Sequence, residues 1–526
     1  MSPTLLPRAE LLARLQQPRE WDLAVIGGGS VGLGVALDAT MRGFSVVLVE
    51  SHDFASGTSS RATKLVHGGV RYLAQGDIGL VREALRERGA MLANAPHVAQ
   101  RLGFVMPGYH WWERAFYGVG LKAYDALAGA QGLGGTEWLS TRRTEELLPG
   151  VQPRGLWGGV RYWDGQFDDA RFALQLARTA LARGALVLNH VEATGLVLER
   201  GQVRGVHVRD TESELTATIN ARCVINATGV WVDAVRAMDQ TADAPPRPPL
   251  VAPSQGVHLV VDRSFAPGDH ALLIPKTADG RVLFAVPWLG KTILGTTDTP
   301  RNDLAREPAP FAEEVGFILT ESARYLARAP QRSDVRSVWV GLRPLVRPQG
   351  TDGENTKTIS REHTVLVGRS GLVTVTGGKW TTYRAMAEDV LDRAMSRGLL
   401  PKRPGGVTER LPLLSAAPGR PLSEPPGEHL YGSEAPLLRT LPGAGHWMWR
   451  DGSGGLTEAM VRFAARYELA REVEDVLARR SRLLFLDAAE AARQADAVAA
   501  ILQEELGRPV DAAPFKALAA QYQRLP

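Results

Sequence analysis

Three glycines and one carboxylate, in the spacing G-x-G-x-x-G with an acid further on, are the residues of this chain best placed to do chemistry. Gly27, Gly29 and Gly32 follow the apolar run Asp22–Ile26, and Glu50 closes a second apolar run, Ser45–Val49. Gly27 permits the tight bend out of a strand. Gly29 carries no Cβ, so a pyrophosphate can approach the backbone. Gly32 lets the next helix pack closely on its sheet, and the free N–H groups around Ser30 then face the phosphates. Glu50 is placed to accept hydrogen bonds from a ribose hydroxyl, and a carboxylate there disfavours a 2′-phosphate. The pattern predicts a dinucleotide with a free ribose, which leaves NAD and FAD open. The stretch Thr58–Tyr72 is dense in hydroxyls and backbone donors. Such a loop suits wrapping a pyrophosphate and a flavin ring.

These residues need elements to hold them. Asp22–Ile26, the Ala/Leu-rich stretch after Gly32 and Ser45–Val49 read as a βαβ unit, with residues 1–20 as a short leader helix. The unit does not finish in one piece. Asp168–Ala177 reads as a helix start with acids in its first turn. Ala185–Asn189 and the hairpin Gly195–Val208 read as strands, and Arg222–Gly229 as a strand ending in a glycine turn. A third return comes at Thr374–Tyr383, ahead of a helical segment. The expected layout is a nucleotide-binding domain in three parts, 1–94, 166–244 and 341–398. Interleaved with it are two inserts of a β-rich substrate domain, 95–165 and 245–340. Residues 399–428, crowded with Pro and Gly, read as a linker, and 429–526 as a C-terminal helical domain.

Composition removes several function classes. At 526 residues the chain is too long for one ordinary core. Its 44% hydrophobic and 22% charged content is that of a folded protein. The net charge is only +4, with no dense Lys/Arg run, so no nucleic-acid partner is expected. Cys223 is the single cysteine. It allows neither an internal disulfide nor an iron–sulfur cluster, so electrons must leave through the dinucleotide itself. No metal site is expected. There is no signal-peptide pattern and no stretch of about 18 apolar residues. The expectation is an intracellular protein that does not cross a membrane but can lie on one.

The run Gly57–Leu73 now joins four others: Asn226–Val232, Gly295–Asp298, Gly341–Leu345 and Gly377–Tyr383. Together they resemble the FAD-dependent glycerol-3-phosphate dehydrogenases, a branch of the glycine oxidase/D-amino-acid oxidase-like flavoproteins. Arg466–Phe485 is similar to that family's helical C-terminal domain. Val230 and Trp380 stand where relatives commonly have Pro and Leu, and neither change alters an ionisable group. The resemblance implies an α/β fold: a Rossmann-like FAD-binding domain of the glutathione-reductase/D-amino-acid-oxidase type, interleaved with the β-rich substrate domain, plus an all-α C-terminal domain. It implies non-covalent FAD held by Gly27, Gly29, Ser30, Gly32, Glu50, Thr58, Ser59, Ser60, Lys64, Leu65, His67, Gly68, Val191, Ala227, Thr228, Gly229, Trp231, Gly378, Lys379, Trp380 and Thr381. The implied substrate is sn-glycerol 3-phosphate. A phosphate dianion leaving water needs charge-assisted donors, and Arg343, Lys379 and Arg361 are the candidates. Oxidation of the C2 alcohol needs a proton acceptor. His258 is favoured over His67 for that role, with Arg343 stabilising the developing alkoxide.

The family expectation for the electron acceptor is a membrane quinone. That implies a cytoplasmic protein held peripherally on the inner face of the cell membrane, with a homodimer possible. Tyr109–Tyr124 mixes aromatics with Arg114 and Lys122, and such a segment suits a bilayer interface. The basic segment Arg471–Arg482 is a second candidate and reads more readily as a solvated helix face. The rivals are an oxidase passing electrons to oxygen, an amine or amino-acid oxidase of the same fold, and a nucleotide-binding protein without activity.

Overall fold

The computed structural model describes residues 7–69, 77–239, 248–277, 280–347 and 362–526. Two sheets organise it. In the first, Glu20–Ile26 is central, flanked in parallel by Val46–Val49 and Thr216–Asn226. Leu186–Leu188 and Val373–Gly377 extend it in parallel on the two sides, and antiparallel His363–Val367 forms an edge. Val46–Val49 is buried at every position. Helices cover both faces of such a sheet, which is why its strands read as unbroken apolar runs rather than alternating ones. The helix Ser30–Met41 is buried from Gly32 through Ala39 and packs between Asp169–Ala182 and Tyr383–Ser396. Asp168 caps Asp169–Ala182, accepting from Arg171 N at 3.2 Å, as the paired acids predict.

The second sheet draws strands from both inserts. Its longest pairing is antiparallel, Val251–Asp262 against Ser337–Val346, in a register that sets Ser254 opposite Arg343 and His258 opposite Trp339. Ala271–Ile274, Leu283–Trp288, Lys291–Gly295, Ala99–Pro107 and Gly159–Phe167 continue it. Ser337–Val346 and Gly159–Phe167 run through the boundaries expected at 340/341 and 165/166. Leu65–Val66 also joins this sheet, pairing with Gln166 and Gly165. The loop expected to wrap the cofactor therefore leaves the nucleotide side at residue 65.

The 399–428 segment is anchored at intervals, with exposed stretches between the anchors. Leu411 and Leu413 lie in the core of the first sheet and Leu422 in that of the second. The C-terminal domain is helical, as expected, but not purely so: the hairpin Trp447–Asp451/Gly454–Thr457 sits among its helices. The larger correction concerns Arg471–Arg482. The sequence pattern reads as a solvated face, but a π-helical turn over Asp475–Arg480 turns the arginines inward. Arg479 and Arg480 both pair with buried Asp53. Arg482, fully buried, donates to Asp169 Oδ1 at 3.0 Å and to Ser60 O at 2.8 Å. Charge density alone does not tell a wet face from a buried ion-pair network, because Asp53 and Asp169 lie hundreds of residues away. Among the described residues no helix is long and apolar enough to cross a membrane.

Candidate functional site

A cavity opens at the carboxyl ends of the first sheet's parallel strands, where open α/β sheets bind ligands. Its wall is made by Gly27, Gly29, Ser30, Glu50, Thr58 and Ser59, then Ala227, Thr228, Gly229 and Trp231, then Gly378, Lys379 and Trp380. The floor is backbone packed too tightly for side chains. A Cβ on Gly27 would sit 2.7 Å from Ala227 O, and one on Gly32 would sit 2.0 Å from Gly27 O. Ser30–Met41 starts at this floor, with Gly29, Ser30 and Val31 lining the cavity, so the positive end of the helix dipole lies beside it. Glu50 Oε2 accepts from Gly28 N at 2.7 Å, which fixes the carboxylate beside the turn. Ser59 Oγ accepts from Ser30 N at 3.0 Å, and Ser59 O accepts from Trp380 Nε1 at 2.8 Å. Three chain segments far apart in sequence are thus tied into one rim. Thr58 Oγ1 donates to Leu342 O at 2.6 Å, joining that rim to the second sheet.

Eight of the residues expected at the cofactor do not line this cavity. Gly32 packs beneath it, as its expected role requires. Ser60 is buried, and its carbonyl accepts from Lys64 and Arg482. Lys64 is fully buried, bound to both Asp169 oxygens at 2.8 and 2.9 Å. Burial drives its ammonium down to about 7 against the pull of Asp169. Leu65, His67 and Gly68 follow the chain into the second sheet. Gly68 N donates to Asp164 at 3.1 Å, and His67 Nδ1 lies 3.5 Å from the same carboxylate, with its ring beside Phe104 and Phe284. Burial alone would raise the Asp164 carboxyl, but His67 and Arg88 hold it below its ordinary value. Val191 is buried with its N–H on Glu50 O, so Glu192 and Ala193 face the cavity instead. Thr381 is buried behind the turn. Residues missed by the sequence reading include Ser51, Arg306 and Thr376. Arg306 crosses from the second insert, donates to Ser51 Oγ at 3.1 Å and stands 5.0 Å from the Trp231 ring. No local motif marks it, since its place depends on how the two sheets meet.

Two of the expected substrate groups, Arg343 and His258, sit on one face of the second sheet. Arg343 Nη1 donates to Gln255 O at 3.1 Å and meets Asp298 Oδ1 at 3.3 Å, while Nη2 donates to Thr297 O at 2.8 Å. A Cβ on Gly256 would lie 2.4 Å from Nη2, so the guanidinium lies across the gap that this glycine leaves. Pro344, the next residue, lines the cofactor cavity, which puts Arg343 at the border between the two regions. His258 is on the same face, stacked on Trp339 at 5.1 Å with its ring 16° from parallel. Its Nε2 is 2.9 Å from Thr63 Oγ1. Burial first, then the cations of Lys64 and Arg343, push His258 well below its ordinary value, so the imidazole is neutral. Lys379 lies on the cavity rim at the head of the last return. Arg361, and the end of the Thr58–Tyr72 loop beyond residue 69, lie outside the described residues. The buried cluster Asp53, His190 and Asp475 has metal-like spacing, but Arg479 and Arg480 already neutralise its carboxylates.

A Cβ-free floor, a helix N-terminus, a carboxylate at the ribose position and a second wall of backbone and Trp380 fit a flavin dinucleotide. The family described as FAD dependent oxidoreductase matches residues 22–384, and the chain belongs to it; its cofactor is FAD. A second family, the C-terminal domain of alpha-glycerophosphate oxidase, matches residues 428–512. Within that class the chain belongs to the glycerol-3-phosphate dehydrogenase family. It is 39% identical to the mitochondrial glycerol-3-phosphate dehydrogenase of Arabidopsis thaliana, across 92% of this chain and 82% of that one. It is 39% identical to a probable mitochondrial glycerol-3-phosphate dehydrogenase of Caenorhabditis elegans, across 96% and 73%. Among solved structures, the glycerol-3-phosphate dehydrogenase of Bacillus halodurans complexed with FAD superposes with a TM-score of 0.77, at 28% identity over 98% of both chains.

Proposed function

We propose that the protein oxidises the C2 hydroxyl of sn-glycerol 3-phosphate to dihydroxyacetone phosphate and hands the electrons to a membrane quinone at the inner face of the cell membrane. The observation that carries this reading is Arg343: an arginine braced by two backbone carbonyls and Asp298, one residue from the cofactor cavity. The names of the relatives support the substrate. Bound FAD supplies a hydride acceptor. Arg343 and Lys379 supply charge for a phosphate dianion, and the braced geometry of Arg343 leaves little reorganisation to be made on binding. Neutral His258 supplies a proton acceptor.

An exposed aromatic face supports the membrane. Trp111 is 75% and Phe116 68% exposed, with exposed Trp112 and Val119 beside them in sequence, Trp138 and Trp157 hydrogen-bonded to Arg114, and Lys122 on the same helix. Aromatic rings with basic neighbours suit the headgroup region. The oxidase reading has its own support in the glycerophosphate-oxidase match of the C-terminal domain. Anaerobic mixing with glycerol 3-phosphate is expected to bleach the flavin absorption; an unchanged spectrum refutes the substrate. Readmitting oxygen without quinone is expected to give little peroxide, and a stoichiometric yield would establish the oxidase instead.

A further inference from the structure

His258 faces a geometric obstacle as a direct base. It is only 3% exposed, its Nδ1 is buried with no hydrogen-bond partner, and its ring is clamped against Trp339. On the other edge, Cδ2 lies 2.8 Å from where a Cβ on Gly295 would stand. The ring fills the space that a side chain at Gly295 would take. Its remaining nitrogen, Nε2, meets Thr63 Oγ1 at 2.9 Å. Thr63 is half-buried, in the same loop as the cavity-lining Thr58 and Ser59. It is also held on both sides: Ala62 N donates to Asp169 Oδ2 at 3.0 Å, and Lys64 Nζ binds the same carboxylate. A half-buried hydroxyl bonded to a buried, neutral imidazole, in the loop whose Thr58 and Ser59 line the cavity, has the placement of a relay.

We propose that Thr63 carries the substrate's proton to His258: the C2 hydroxyl proton passes to Thr63 Oγ1 as the Thr63 hydroxyl proton passes to His258 Nε2. The substrate O–H breaks and a new Thr63 O–H forms; the old Thr63 O–H breaks and an N–H forms on the ring. The C2–H pair departs as hydride to the acceptor named above, leaving the carbonyl. The threonine ends as it began and the imidazole ends protonated. Lys64 and Arg343 disfavour that imidazolium, so it is a transient state, relieved in part by the negative charge of the bound phosphate. The relay rests on the glycerol 3-phosphate reading and adds a residue to it.

The test compares Thr63→Ser, which keeps the hydroxyl, with Thr63→Val, which keeps the shape. In anaerobic stopped flow with glycerol 3-phosphate, Thr63→Val is expected to slow flavin reduction by about 10²-fold or more, the usual worth of a proton-transfer group. KM and flavin content should be unchanged, and Thr63→Ser should stay within about threefold of the parent. Independently of turnover, the ¹⁵N signal of His258 Nε2 should move in Thr63→Val and stay in Thr63→Ser. Parent-like reduction by Thr63→Val overturns the relay while leaving the substrate intact. Failure of the parent protein itself to bleach overturns the substrate reading, and the relay with it. A His258 signal indifferent to both variants removes the hydrogen bond on which the relay stands.

Discussion

The cofactor cavity and the substrate face are built on opposite terms. The cavity is defined by atoms that are missing: no Cβ at Gly27 or Gly32, so that backbone itself forms the floor. The substrate face is defined by side chains held in place: Arg343 braced by three acceptors, His258 clamped on Trp339 and tied to Thr63. A surface of backbone is specified over a few consecutive residues. A surface of side chains depends on register between strands that the chain forms far apart.

The largest way to break the contrast is at Gly32, where any added side chain meets the Gly27 carbonyl at 2.0 Å. This is backbone, which cannot step aside. Gly32→Val is expected to yield protein without the flavin absorption band, or no soluble protein at all; yellow, active protein would refute the packing argument. Arg343→Met tests the other side. Its neighbours are braces, and the cavity floor does not touch it, so flavin content should persist. The steady-state kcat/KM should fall by roughly 10² to 10³-fold, the scale for removing one preorganised charged donor. Loss of flavin together with activity would show that the two regions are not separable.

That difference also explains what was legible in the sequence. Gly27, Gly29, Glu50 and Gly229 all line the cavity as the motif predicts, because each lies within three residues of a strand end, and spacing alone locates strand ends. Lys64, Leu65, His67 and Gly68 belong to the same motif run but face elsewhere. At Leu65 the chain enters a different sheet, and nothing in residues 58–68 announces the change of partner. The Arg479–Arg482 run failed for a related reason: its partners Asp53 and Asp169 are supplied by tertiary contact. Arg343 and His258 were reached through family motifs. Their juxtaposition follows only from the register that pairs Ser254 with Arg343 and His258 with Trp339.

A smaller effect distinguishes the two regions by pH. His258 is pushed well below its ordinary value by burial and by nearby cations. Between its folded value and about 6.5, the unfolded chain binds a proton that the folded chain refuses, so stability falls as pH falls through that window. The limit is about 1.4 kcal/mol per pH unit for one proton. Urea unfolding of the parent and of His258→Gln at pH 7.5 and pH 5 should show a shallower loss in the variant. An identical loss would mean that His258 is protonated in the folded protein.

The smallest effect expected is at Gly229, and it sharpens the claim that missing atoms define the cavity. Gly229 lines it and has φ of +63°, but a Cβ built there meets nothing within 4 Å. Its cost is therefore conformational only, about 1 to 2 kcal/mol for a left-handed residue with a Cβ, in contrast to the collision at Gly32. Gly229→Ala should fold, bind flavin and turn over, with a lower melting temperature and flavin affinity reduced only several-fold. Titrating the apoprotein with FAD by flavin fluorescence measures that affinity. If Gly229→Ala lost the cofactor as completely as Gly32→Val, conformational freedom throughout the rim would be what the cofactor demands, and close approach at the floor would not be the governing constraint.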